Sequence, residues 1–280
     1  MAEPTSRSRL IGELSAEFAG TMILILFGCG VVAQVVAGGA LTDGALGDHD
    51  SIAWAWGLGV VLAVYVAARI SGAHINPAVT LALAAFKGFP WRKVLPYIVA
   101  QTAGAFVAAL LVRWNYTEVL AKADPGHTDK TEIVFSTLPG NGGLPISQFG
   151  AFRDQIIGTA LLVLLIFAVT DLLNTPPGAN LAPFIIGLIV VAIGMAWGTN
   201  AGYAINPARD LGPRLAAFLT GYGGAWRDQN GDLYFWVPIA GPLIGGLVGA
   251  LLYRLLIGRF LPVAEPEPGR VPAPDKSPDE

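Results

Sequence analysis

Charge is scarce in this sequence, and so is cysteine. Only 13% of the 280 residues are Asp, Glu, Lys or Arg, about half the share of an ordinary soluble domain, so most of the chain is not built to face water. The single cysteine, Cys29, excludes an intrachain disulfide and leaves the redox compartment unread. Basic residues form no dense cluster and the net charge is −3, which argues against nucleic acid as a partner. No nucleophile, base and acid gather near any motif, so no enzyme is expected, and neither a metal site nor a cofactor.

What the chain has instead is apolar sequence: 54% of its residues are hydrophobic and the mean hydropathy is +0.58. Predominantly apolar stretches recur at 10–37, 52–70, 94–114, 156–172, 181–199 and 235–258, each near the roughly 20 residues that cross a bilayer. They predict six spans. The 35 glycines fit this setting, because membrane helices associate by close approach of backbones at small residues. The basic start of the chain before the first run resembles a secretory signal. That run is too long for one and contains Glu17, so it is expected to remain as the first helix. Residues 261–280 are rich in proline and acidic side chains and are expected to form a disordered cytoplasmic tail.

Three basic groups fall on one side of a six-span topology: Arg7 and Arg9; Lys87, Arg92 and Lys93; Arg254 and Arg259. The positive-inside rule makes that side cytoplasmic. Both termini, including residues 1–9, should then face inward across a plasma membrane. The polar segment 115–149, with turn signals at Asp124-Pro125-Gly126 and Pro139-Gly140, should lie outside as a surface cover.

The chain also repeats itself. Glu17-Phe18-Ala19-Gly20-Thr21 is echoed by Gln155-Ile156-Ile157-Gly158-Thr159, and Gly72-Ala73-His74-Ile75-Asn76-Pro77-Ala78 by Gly202-Tyr203-Ala204-Ile205-Asn206-Pro207-Ala208. Ala108-Ala109-Leu110-Leu111 is echoed in turn by Gly249-Ala250-Leu251-Leu252. The two halves, 10–114 and 150–260, hold three spans each, an odd number, so the second is inverted relative to the first. Inverted repeats place a shared site near the midplane, commonly where broken helices meet.

Each Asn-Pro-Ala triplet precedes an apolar run too short to span, giving expected half-helices at 76–87 and 206–220. Proline suits the first helical position and asparagine the cap before it. A lone Asn-Pro-Ala would be a plain helix cap; two at repeat-related positions point to a pore. Two half-helices meeting end to end would set both positive dipole ends at the midplane, against cations and protons. Asn76 and Asn206 would each offer an uncharged amide donor to a passing molecule.

Ser71-Gly72-Ala73-His74-Ile75-Asn76-Pro77-Ala78-Val79-Thr80 and Gly202-Tyr203-Ala204-Ile205-Asn206-Pro207-Ala208-Arg209-Asp210 resemble the two signatures of the major intrinsic protein family, the aquaporins and aquaglyceroporins. The resemblance runs from about Leu10 to Pro262. It implies an all-α membrane protein of six transmembrane helices and two half-helices in an inverted 3+3 repeat, one pore per subunit, and a homotetramer. It also implies an outer constriction formed by Arg209 with Trp56, Gly194 and Tyr203.

Arg209 is a charge at membrane depth, which normally faces an aqueous path; a structural ion pair with Asp210 is the plain alternative. A water-only filter in this family usually carries histidine at the Gly194 position. Glycine there widens the opening, while Trp56 and Tyr203 supply an apolar wall opposite Arg209, an amphipathic slot suited to a polyol. For Trp56 alone, packing would be the default role. Asp210 after Arg209 resembles the glycerol-conducting branch, whereas Tyr203 departs from the phenylalanine common in bacterial glycerol channels. The resemblance thus implies a passive channel for glycerol, water and other small neutral solutes.

Among supporting residues, the resemblance makes Glu17 an acceptor for the non-helical segment before the first half-helix, with Gln155 as its uncharged repeat partner. His74 is expected to bond backbone or lend its carbonyl to the pore. A strict water pore, a urea, ammonia or metalloid-hydroxide channel, and an ion-coupled secondary transporter are the competing readings. The last would need a titratable centre where the chain has two neutral asparagines.

Overall fold

Each of the six apolar runs is a helix. The structure, a computed structural model, describes residues 6–262; residues 1–5 and the remainder of the tail from 263 lie outside that range. The chain runs α1 (Ser6–Val32), α2 (His49–Ser71), α3 (Pro77–Phe86), α4 (Trp91–Asn115), α5 (Thr117–Ala123), α6 (Asp129–Glu132), α7 (Gln148–Thr170), α8 (Ala182–Ala201), α9 (Pro207–Leu219) and α10 (Val237–Leu256). Six of these, α1, α2, α4, α7, α8 and α10, are long and apolar enough to cross a membrane, and no strand occurs among the described residues. The protein is a multi-pass, all-helical membrane protein.

The outer surface is built for lipid. Trp91 and Trp114, at the two ends of α4, are 62% and 77% exposed, which sets aromatic rings at the two levels where amphipathic rings prefer the membrane interface. One boundary differs from expectation, and one span changes its winding. The first helix continues through a π turn, Ala33–Gly38. The fourth span begins at Gln148 rather than 156, because Ser147 caps it by accepting from Gly150 N at 3.0 Å. Its early polar residues are buried against α8: Asn200 Nδ2 donates to Asp154 Oδ1 at 3.1 Å and Gln155 Nε2 to Ala201 O at 2.8 Å. Hydropathy alone scores those side chains as solvent-facing.

The two halves pack alike. Helix α1 lies on α2 and α4 as α7 lies on α8 and α10, and α2 meets α8 between the halves. Glycine makes the close contacts possible. A Cβ on Gly104 of α4 would stand 2.2 Å from Phe18 O of α1, and one on Gly245 of α10 would stand 2.4 Å from Ile156 O of α7. The short helices are exchanged: α3 of the first half packs on α10, and α9 of the second packs on α4. With 10 and 13 residues they reach about 15 and 20 Å, half a bilayer core.

Candidate functional site

The segments that lead into α3 and α9 are non-helical and share one unusual backbone. Gly72, Ala73 and Ile75 have φ of 85°, 48° and 45°, and Gly202, Tyr203 and Ile205 have 60°, 34° and 43°. Left-handed φ at a β-branched isoleucine is strained and persists only where neighbours over-determine it. Here the neighbours are Glu17 and Gln155. Glu17 Oε1 accepts from Ser71 Oγ at 2.6 Å and His74 N at 2.9 Å, and Oε2 from Ile75 N and Gln101 Nε2, both at 2.7 Å. In the second half Gln155 Oε1 accepts from Ile205 N at 2.8 Å.

Both triplets are helix starts. Asn76 Oδ1 accepts from Ala78 N at 2.8 Å, and Asn206 Oδ1 from Ala208 N and Arg209 N at 3.1 and 3.2 Å, with Pro77 and Pro207 at the first helical position. The amide nitrogens cross between the halves: Asn76 Nδ2 donates to Ile205 O at 2.9 Å and Asn206 Nδ2 to Ile75 O at 2.8 Å. Each amide group therefore keeps its oxygen for its own helix and spends one N–H on the opposite half. One N–H on each remains for a solute.

A cavity of about 330 Å³ runs past this crossing, lined by Asn76, Asn206, His74, Trp56, Tyr203 and Arg209 and by apolar side chains that include Val60, Val64 and Val190. At one end the Arg209 guanidinium lies 4.1 Å from the centre of a Trp56 ring. Trp56 Nε1, Tyr203 Oη and Arg209 Nη1 are buried and find no hydrogen-bond partner among the described residues. Three such atoms around one cavity are the kind of exception that marks a binding surface. Gly194 is not itself in the lining. It backs Tyr203, since a Cβ on Gly194 would meet Tyr203 Cζ at 3.0 Å.

Residues 5–253 match the sequence model of the major intrinsic proteins. The chain belongs to the major intrinsic protein family. Within that family it is 44% identical over 264 residues to the glycerol uptake facilitator protein of Escherichia coli strain K12, covering 91% of each chain. It is 43% identical over 250 residues to a probable aquaglyceroporin-2 of Gibberella zeae, covering 86% of this chain and 71% of that one. Among solved structures, the aquaglyceroporin from Plasmodium falciparum superposes with a TM-score of 0.78 at 32% identity, over 89% of this chain and 97% of the other.

Two supporting residues have well-defined partners beside the site. His74 bonds a side chain instead of backbone: its Nδ1 lies 3.1 Å from Thr80 Oγ1, and its ring packs on Phe89 and Tyr97. Thr80 donates its own proton to Asn76 O at 3.0 Å and accepts from Gln101 Nε2 at 3.1 Å, so its hydroxyl is open to the imidazole as an acceptor. Asp210 turns away from Arg209. It accepts from Thr137 N at 2.8 Å, Thr137 Oγ1 at 2.7 Å and Arg214 Nε at 2.7 Å. Ala78, Pro207 and Ala208 are buried beside the crossing without lining the cavity.

Gln101, Thr137 and Arg214 were not anticipated as site residues. Gln101 is a polar residue within an apolar span, and Arg214 follows Asp210 by one helical turn on α9. Both spacings were legible signals. Thr137 gives none, because its partner is distant in sequence.

Proposed function

We propose that the chain is a passive channel for glycerol and related small uncharged solutes that also passes water and excludes ions and protons. One observation carries the reading: aromatic rings and a guanidinium line the cavity together, with three buried polar atoms left to bond whatever passes. A polyol has an alkyl edge for the rings of Trp56 and Tyr203 and hydroxyls for Arg209, Tyr203 and Trp56. The names of its relatives in Escherichia coli, Gibberella zeae and Plasmodium falciparum support the same solute class. The protein catalyses no covalent step.

Exclusion follows from the asparagine pair. Because both amide oxygens are committed to capping, a water at the crossing meets donors only. Its oxygen faces the asparagines and its own protons point outward along the pore, so it cannot accept a proton from the next water in file. The N-termini of α3 and α9, both at the midplane, add positive potential that repels cations. By the positive-inside rule, Arg7, Arg9, Lys87, Arg92, Lys93, Arg254 and Arg259 support a reading in which both termini face the cytoplasm, and we infer a homotetramer in the plasma membrane as the working unit.

Stopped-flow light scattering on proteoliposomes tests the reading. Glycerol reswelling and osmotic water flux should both accelerate over protein-free vesicles, and no glycerol acceleration would sink the polyol assignment. Gly194→His combined with Tyr203→Cys should suppress glycerol more than water. The pair is needed because a side chain at Gly194 enters the space of the Tyr203 ring. An unchanged ratio would mean that the constriction lies elsewhere.

A further inference from the structure

His49 opens α2 on the same face as Trp56, seven residues or about two turns away. Its Nε2 lies 2.8 Å from Gly194 O on α8. A carbonyl can only accept, so Nε2 carries the proton and donates. The imidazole occupies a notch left by a missing side chain: a Cβ on Gly198 would stand 2.3 Å from His49 Cε1. The ring also meets Tyr203 edge-on, with centroids 6.4 Å apart and planes at 84°.

Tyr203 needs such a support. It sits at left-handed φ, its hydroxyl has no hydrogen-bond partner among the described residues, and on α8 it leans on Gly194 and Gly198, which offer no side chain to hold it. His49, by contrast, is well anchored. Asp48 caps α2 by accepting from Ser51 N at 2.9 Å and Ser51 Oγ at 3.0 Å, which fixes the first turn of the helix. The imidazole does not line the cavity, so any influence on a solute passes through Gly194 and Tyr203.

We propose that His49 is a positioning residue of the constriction. By tying the first turn of α2 to Gly194 and bracing the Tyr203 ring, it sets the pore's cross-section and thereby the largest polyol admitted. This rests on Trp56, Gly194, Tyr203 and Arg209 forming the constriction.

The test is reswelling of proteoliposomes containing the full chain in glycerol, erythritol and xylitol, with Tyr203→Ala as the reference variant. His49→Ala should raise the xylitol-to-glycerol ratio by roughly two- to tenfold, the factor expected when a ring is no longer confined to one rotamer. His49→Gln, whose amide can donate to the same carbonyl, should return the ratio towards that of the native chain. A role in folding alone would lower all three solutes together and leave the ratio in place, which overturns the proposal. A shifted ratio that glutamine does not restore overturns the hydrogen bond as its cause. Should His49→Ala not insert, His49→Phe takes its place, filling the notch without donating, and a ratio equal to that of His49→Gln overturns the proposal. If Tyr203→Ala shifts the ratio and the His49 variants do not, the brace fails and the constriction stands; if neither shifts it, the constriction reading fails first.

Discussion

Glu17 has no solvent exposure and satisfies four donors with two oxygens. Two of those donors are backbone N–H groups of the segment before α3, with nothing else at hand to accept them. Glu17→Ala orphans both, at roughly 1–3 kcal/mol each, and should lower stability by about 2–6 kcal/mol with loss of glycerol flux. Gln155→Ala orphans one backbone N–H, that of Ile205, and frees Ala201 O, so it should cost less; thermal unfolding in detergent compares the two. At this scale the sequence was most legible where residues come in repeat pairs. Asn76 and Asn206, and Glu17 and Gln155, announce one another, and all four meet at the crossing. His49 and Thr137 have no such echo, and their partners lie far along the chain, so no local pattern could have exposed them.

Among the elements, α9 carries the most polar burden. Arg214 is fully buried, donating to Asp210 at 2.7 Å, Thr137 O at 2.7 Å and Ala225 O at 2.5 Å, with Glu132 Oε1 at 3.6 Å. These bonds pin the segment 115–149 to α9, so what reads in sequence as a polar cover is packed, with its own Leu120, Phe135 and Leu138 buried. Arg214→Ala would leave two buried carboxylates unpaired and should destabilise by about 3–5 kcal/mol.

One cation faces two carboxylates in this cluster, and the balance is visible in Glu132. Burial pushes its pKa up to about 7 from 4.5, with Arg214 and the Ser136 hydroxyl only partly opposing. A raised folded-state pKa means that the folded chain holds the proton more tightly than the unfolded one. Its contribution is therefore fully present below about 4.5 and lost as pH rises through about 7. The thermal midpoint should fall across that window, and Glu132→Gln should flatten the fall. An equal slope in the variant would remove Glu132 from the account.

For the whole molecule, the six spans and the inversion of the repeat were within reach of the sequence, because apolar length and odd span number are global quantities; the short helices α5 and α6 were not. The start of α7 was not, since Asp154 and Gln155 look solvent-facing until α8 is placed beside them. The assembled unit should behave as a tetramer by sedimentation in mild detergent. A sharp monomeric species that conducts glycerol after reconstitution would count against it.

The crossed amides also dictate an order of events. Ile75 O has its partner in Asn206, and Ile205 O in Asn76, so neither half can satisfy its own midplane backbone. In hydrocarbon an unpaired carbonyl is costly. During synthesis the first half must therefore wait, with its re-entrant segment unsealed, until the second has entered the bilayer. The crossing of the two asparagines is the last part of the conduit to close, and a chain arrested before α9 would have a membrane anchor and no channel.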